Sequence, residues 1–237
     1  AHLAGELVWA VAWLAAGVVY GIAMHPGAPA ILGAGPVGAD LRAGCMCGGS
    51  GEQALLTAGW GRMHHYYGLP GGAAAGIADA KLPDMQAGWE QAMSNVMAGL
   101  TGLNMVYEAA GMHASLLGFC HESLILGDDL LGQAMRCVRG IEVSEDTVGL
   151  ETMRATCLGG PGHYLGSDQT LSLMQTEYIY PVLADRSSPK EWQEKDRPDL
   201  IEQAVARKEA LIAAPTPAAL PPEVDAQIRQ RFKIHLN

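Results

Sequence analysis

Asp79, Lys81 and Asp84 put two acids and one base within six residues. They close the stretch Tyr-Gly-Leu-Pro-Gly-Gly-Ala-Ala-Ala-Gly-Ile-Ala-Asp-Ala-Lys-Leu-Pro-Asp at residues 67–84. Its small apolar residues read as a short buried strand and its polar end as a loop, with a helix predicted from about Met85. Carboxylates and an ammonium at the mouth of a strand are what a β/α enzyme uses to hold a polar substrate. The same residues also have a plainer use, in which Asp84 caps the next helix and Lys81 neutralises its neighbours.

A second group, Glu108, His113, His121 and Glu122, follows the third predicted strand, again where barrel active sites gather. The loop Gly159-Gly-Pro-Gly-His-Tyr-Leu-Gly166 offers His163 and Tyr164 as lid or rim residues. It lacks the preceding strand and the glycine order of a dinucleotide fingerprint. Cys45-Met-Cys47 and His64-His65 have the ligand types of a zinc site without the spacing of a finger or ribbon, and adjacent histidines diverge on a helix. No metal set is assigned. Neither a G-x-S-x-G elbow nor a P-loop is present. Trp60, Tyr66, Tyr67, Trp89 and Tyr107 lie in or beside the predicted βα units. Aromatic faces with a carboxylate can hold an organic ammonium, although packing helices onto a sheet is their everyday use.

Groups of this kind need a scaffold, and composition bounds it. The chain has 237 residues, 49% hydrophobic and 17% charged, so much of it must be buried. Thirty glycines fit the tight connections of an α/β protein. A formal charge of −10 with no basic run argues against a nucleic-acid partner. Five cysteines without disulfide-scaffold spacing indicate a reducing, cytoplasmic compartment. Residues 7–24 carry no charge and are about long enough to span a bilayer. Gly17, Gly21 and the turn His25-Pro26-Gly27 favour a helix buried within the fold, with no membrane association. The start Ala1-His2-Leu3 already reads as helical, as in a fragment.

The predicted order alternates. A strand at 28–33 is followed by a Gly-rich loop to Gly51 and a helix at 52–67. A strand at 71–75 and a helix at 85–100 repeat the unit, and a strand at 103–108 precedes a helix at 121–139. Such alternation implies a parallel sheet with crossover helices. Beyond residue 141 only helices are expected: one capped by Ser144, one capped by Asp168, a charged stretch at 189–214, a Pro-containing linker and a last helix at 223–233. Three or four βα units fall short of the eight that close a barrel, and an open three-stranded sheet would leave exposed edges. The fold class expected is therefore α/β, the C-terminal part of a (β/α)8 TIM-type barrel over residues 1–185, with a helical extension over 186–237.

Several motifs carry a family resemblance. These are Pro26-Gly-Ala-Pro29, the run Gly76-Ile-Ala-Asp79-Ala-Lys81-Leu-Pro83-Asp84-Met-Gln86-Ala87-Gly88-Trp-Glu90, Ala109-Ala-Gly111-Met, Arg139-Gly-Ile-Glu142-Val and Gly160-Pro-Gly-His163-Tyr-Leu-Gly166. In this order and spacing the chain resembles the trimethylamine/glycine betaine corrinoid methyltransferases over nearly all its length, as their C-terminal half. The resemblance implies a TIM barrel that moves a methyl group from a small methylated amine to the cobalt of a separate corrinoid (cobalamin) protein. It implies no cofactor bound directly; the N-terminal half of the barrel is expected to be missing or supplied by another polypeptide, and a homo-oligomer is expected. Within that frame Asp79, Glu122 and His113 are the candidate catalytic groups. Lys81, Asp84, Gln86, Glu108, His163 and Tyr164 are the candidates for substrate binding. The archaeal trimethylamine branch uses pyrrolysine, absent from this sequence, so the expected substrate is a quaternary amine such as glycine betaine. The competing readings are an inactive half-barrel acting as a structural subunit, and a membrane-attached protein anchored by residues 7–24.

Overall fold

The computed structural model describes residues 2–33, 35–214 and 220–234. Helix α1 (Leu3–Met24) is continuous, and Ala10 is its one buried residue. The stripe Leu7, Ala10, Val11 and Leu14 packs around Trp60 of α2 (Gly51–Tyr67). Gly59 of α2 makes the close approach possible, because a Cβ there would lie 2.7 Å from Leu7 Cδ1. The burial expected for this helix is not met by the chain as it stands. Trp9, Trp13 and Tyr20 are 61%, 65% and 68% exposed, since α2 covers one stripe of a cylinder that is apolar all round. By length and composition it is the one helix among the described residues able to cross a membrane.

The central sheet is parallel and runs β1 (Leu32–Gly33), β4 (Gly71–Ala74), β5 (Met105–Tyr107), in sequence order. Gly68, in the left-handed conformation at φ 64°, ends α2 and turns the chain into β4. Asp84 opens α3 (Met85–Leu100), its carboxylate accepting the Ala87 N–H at 3.2 Å. Ala73 joins Trp60 and Ala10 in the core, so it faces the helices. Side chains alternate along a strand, which turns Gly72, Ala74 and their register partners Gly33, Met105 and Tyr107 to the opposite face. Met105 there is half exposed.

Two antiparallel hairpins, β2–β3 (Ala39–Asp40, Cys45–Met46) and β6–β7 (Met112–His113, Gly118–Phe119), lie in segments expected to be loop. Their strands are two residues long, too short to show a hydrophobic period. Helix α4 (His121–Arg139) follows as expected. Next come α5 (Glu145–Val148), opened by a Ser144 capping box, α6 (Leu150–Cys157) and α7 (Asp168–Leu173). The cap of α7 is Ser167, whose hydroxyl accepts the Thr170 N–H, so Asp168 is the first helical residue and not the expected cap.

The charged stretch expected as one helix forms two, α8 (Pro189–Glu194) and α9 (Leu200–Ala213). Pro198 disfavours helical backbone at Arg197, which sits with Asp196 at positive φ. Asp199 then caps α9. The linker at 215–219 lies outside the described residues, and the last helix, α10, is Pro222–Arg231. Helix α9 packs on α4, with Ala204 fully buried. All five cysteines are free.

Candidate active site

The three parallel strands end at one edge of the sheet, and the loops leaving them are tied together there. The segment after β4 runs along the second hairpin: Ala78 N–H donates to Met112 O (3.0 Å), Ala114 N–H to Ala80 O (3.0 Å) and Ser115 N–H to Ala78 O (3.0 Å). Ala78 and Ala80 point into a small core with Ala87. Alternation then leaves Asp79 and Lys81 on the other side. Gly76 turns the chain at φ 74° directly beneath Ala109, where no side chain could fit.

Helix α3 holds this arrangement with a buried polar face. Glu90, 6% exposed, accepts the Asp79 N–H at 2.7 Å, the Ala80 N–H at 3.1 Å and Gln86 Nε2 at 2.8 Å. Ser94 accepts the Gly76 N–H at 2.9 Å, Gln91 donates to Met112 O at 3.3 Å, and Asn95 donates to Ala109 O at 2.9 Å. Four side chains of α3 therefore pin the loops after β4 and β5. None of Glu90, Gln91, Ser94 or Asn95 was a candidate from sequence. The signal was present, as polar residues at i, i+1, i+4 and i+5 on an otherwise apolar helix side.

The predicted site residues divide. The Asp79 carboxylate is hydrogen-bonded by the Ser115 hydroxyl, which also lies 2.8 Å from Met46 O and so joins the mouth to the first hairpin. Lys81 is exposed at the mouth, its ammonium donating to Asp79 O at 2.7 Å. Glu108, exposed at φ 65°, stands at the end of β5. Asp84 is the cap of α3, and Gln86 supports Glu90. His113 is 4% exposed with both ring nitrogens engaged, Nδ1 on Ala80 O at 3.1 Å and Nε2 on Ser123 Oγ at 2.6 Å. Because a carbonyl can only accept, Nδ1 carries a proton, and Nε2 shares its hydrogen bond with the Ser123 hydroxyl.

Glu122 lies in the first turn of α4 and pairs with Lys208 of α9 at 2.6 Å. The hydrogen bond from Lys208 holds its carboxyl down at about 2, and the Cys120 thiol adds a weaker contact at 3.4 Å. His163 and Tyr164 are exposed on the loop after α6, where His163 faces a concavity shared with Glu151 and Asp168. Among the described residues no hydrogen bond joins that loop to the Asp79 segment. Cys45 and Cys47 lie by the first hairpin over the mouth, whereas His64 packs on Gly71 at the opposite end of β4. No group of His, Cys, Asp and Glu among the described residues is set for a metal.

A concavity of about 770 Å³ opens between α3, α4 and α9, rimmed by Met85 and Trp89. Neither Asp79, Lys81, Tyr107 nor Glu108 lines it. It is an apolar groove on the helix side. The groups able to bind a polar substrate stand at the C-terminal ends of the strands, where β/α enzymes place their chemistry.

Comparison with known proteins gives the family. The family model for trimethylamine methyltransferase (MTTB) matches residues 1–234. A glycine betaine methyltransferase of Desulfitobacterium hafniense (strain Y51) is 31% identical over 229 residues, 97% of this chain and 47% of that protein. The trimethylamine methyltransferase MttB of Methanosarcina barkeri (strain Fusaro / DSM 804) is 32% identical over 211 residues, 89% of this chain and 42% of its own. A second MttB, from Desulfitobacterium hafniense (strain DSM 10664 / DCB-2), is 27% identical over 96% of this chain and 45% of its own. The chain thus spans a little under half the length of these relatives. It belongs to the trimethylamine methyltransferase (MTTB) family.

Proposed function

We propose that this chain is the C-terminal part of a (β/α)8 barrel that moves a methyl group from a small quaternary amine to the Co(I) centre of a separate corrinoid protein. One observation carries the reading: three parallel strands neighbour one another in sequence order, and their C-terminal ends present Asp79, Lys81 and Glu108. Consecutive strands of a barrel run in this order. Closing the barrel takes further strands beside β1, and these would come with helices to cover the open faces of α1. Membership of a family whose named relatives act on glycine betaine and trimethylamine supplies the substrate class.

The corrinoid supplies the nucleophile. The methyl carbon goes to cobalt, and the C–N electron pair stays on nitrogen, which leaves a quaternary substrate as a neutral amine. Unprotonated trimethylamine would have to leave as an amide anion, and nothing in this sequence activates it. The protein's part is to orient one N-methyl group and keep water away. Glu108 supplies negative charge for the ammonium, and Lys81, the cation at the mouth, pairs with the carboxylate of a betaine. The Glu90 contacts hold the Asp79–Lys81 segment in place for this task.

Visible absorbance of the corrinoid reports the reaction in a mixture of complete barrel and corrinoid protein. A quaternary amine should methylate Co(I) and trimethylamine should not. Lys81→Met should weaken turnover of glycine betaine far more than that of choline, which has no carboxylate. Trimethylamine turnover matching the quaternary amines would overturn the leaving-group argument. Equal loss of betaine and choline would overturn the role of Lys81.

A further inference from the structure

The fold separates the five aromatic side chains that an ammonium could meet. Trp60 is fully buried on the helix side of the sheet, where its indole N–H donates to Gly72 O at 3.1 Å. Tyr66 and Tyr67 end α2 and so lie beside the start of β4, away from the mouth. Trp89 rims the apolar groove on the outside of α3. Tyr107 alone is on the sheet face that no helix core covers, at the last position of β5.

Its seat is made of glycines. A Cβ at Gly33 would lie 3.0 Å from the Tyr107 hydroxyl, and one at Gly72 would lie 3.0 Å from ring atom Cε1. The ring therefore crosses β4 and reaches β1, occupying space that any larger residue at those two positions would contest. Its hydroxyl has no hydrogen bond among the described residues. Glu108 follows directly, exposed and at φ 65°, a conformation that costs a non-glycine residue. Burial, with the nearby Glu108 charge, raises the Tyr107 pKa and keeps the phenol neutral. An electron-rich face beside a carboxylate, at the C-terminal end of a parallel strand, is the chemistry that recognises a methylated cation.

We infer that Tyr107, seated on Gly33 and Gly72, is the aromatic wall that holds the N-methyl groups of the substrate cation, with Glu108 as its counter-charge. This assignment rests on the methyltransferase reading and makes Tyr107 a specificity residue for charge. Quaternary nitrogen spreads its charge over its methyl hydrogens, which meet the ring face. A carbon isostere has the same shape and no charge, so it gains only apolar contact.

The test compares choline with its uncharged isostere, 3,3-dimethylbutan-1-ol, as ligands of the complete barrel by calorimetry. Wild-type protein should prefer choline. Tyr107→Leu should shrink the ratio of the two affinities by roughly 5- to 30-fold. Tyr107→Phe, which keeps the ring, should leave it within about 2-fold of wild type. Glu108→Gln should also shrink it. A loss that is equal for both ligands would reveal a structural role and overturn the assignment, as would an unchanged ratio in Tyr107→Leu or wild-type protein that binds neither. Corrinoid methylation by the wild type is measured separately. Its failure with every methylated amine would overturn the methyltransferase reading, while the calorimetric ratio still decides for or against Tyr107 as a cation wall.

Discussion

Removing the Glu90 carboxylate should release the Asp79–Lys81 segment without unfolding the helix that carries it. In Glu90→Ala three donors lose their acceptor: the N–H groups of Asp79 and Ala80, and Gln86 Nε2. Gln86 is half-buried and can turn to water. Ala80 is 1% exposed, so its N–H has no such recourse, and Asp79 is only partly open. A buried donor left unsatisfied costs about 1–3 kcal/mol, and the partly open one costs less. The sum is about 2–4 kcal/mol of local stability. At about 1.4 kcal/mol per factor of ten, the two amides should exchange with deuterium roughly 30- to 1000-fold faster. Glu90→Gln keeps one oxygen for both N–H groups and should lose about 1 kcal/mol. Gly49→Ala gives an independent check, because a Cβ there would lie 2.6 Å from the Glu90 carboxyl carbon and push the same group aside. Hydrogen exchange read at Asp79 and Ala80 decides. Amides in Glu90→Ala that remain as protected as in wild type would refute the claim that this carboxylate holds the loop.

Three further outcomes concern single side chains. Glu122 is held at about 2, so its bond to Lys208 stabilises the fold in full above its ordinary value near 4.5 and is lost as pH falls towards 2; Lys208→Met should return Glu122 to the ordinary carboxylate range in an NMR titration and remove that acid dependence. Burial lowers the His64 imidazole below 6.5, and among the described residues neither ring nitrogen has a hydrogen-bond partner. Above pH 6.5 both folded and unfolded states hold it neutral; below, the unfolded state takes up the proton first, so stability falls, and His64→Phe should flatten melting temperature between about pH 5 and 7. Gly76→Ala should destabilise by about 2–4 kcal/mol in thermal unfolding, from the positive φ of 74° and the collision with the Ala109 backbone; a cost below about 0.5 kcal/mol would show that the turn relaxes.

The segment from Gly71 to Leu100 was legible in the sequence for local reasons. Small apolar residues made a strand, Asp84 sat where the first free N–H groups of a helix need an acceptor, and α3 kept its predicted bounds. The order of strands and helices, the position of the Asp79 loop at strand ends, and the family motifs were likewise carried by neighbours in the chain. Burial of α1 was not. Its apolar residues run all round the helix, so the sequence states that it needs cover and leaves the cover unnamed; in the structure only the stripe facing Trp60 has it. The partners of the polar residues were not legible either. Glu122, a candidate acid from sequence, pairs with Lys208, 86 residues away, which its neighbours in the chain do not announce. Asp79 connects through Ser115 to Met46, which is 69 residues from that serine. A cap or a helical period is set by contacts a few residues apart and can be read from their spacing. A carboxylate becomes anchor, partner or ligand according to which distant donor the fold brings to it, and only the tertiary structure decides that.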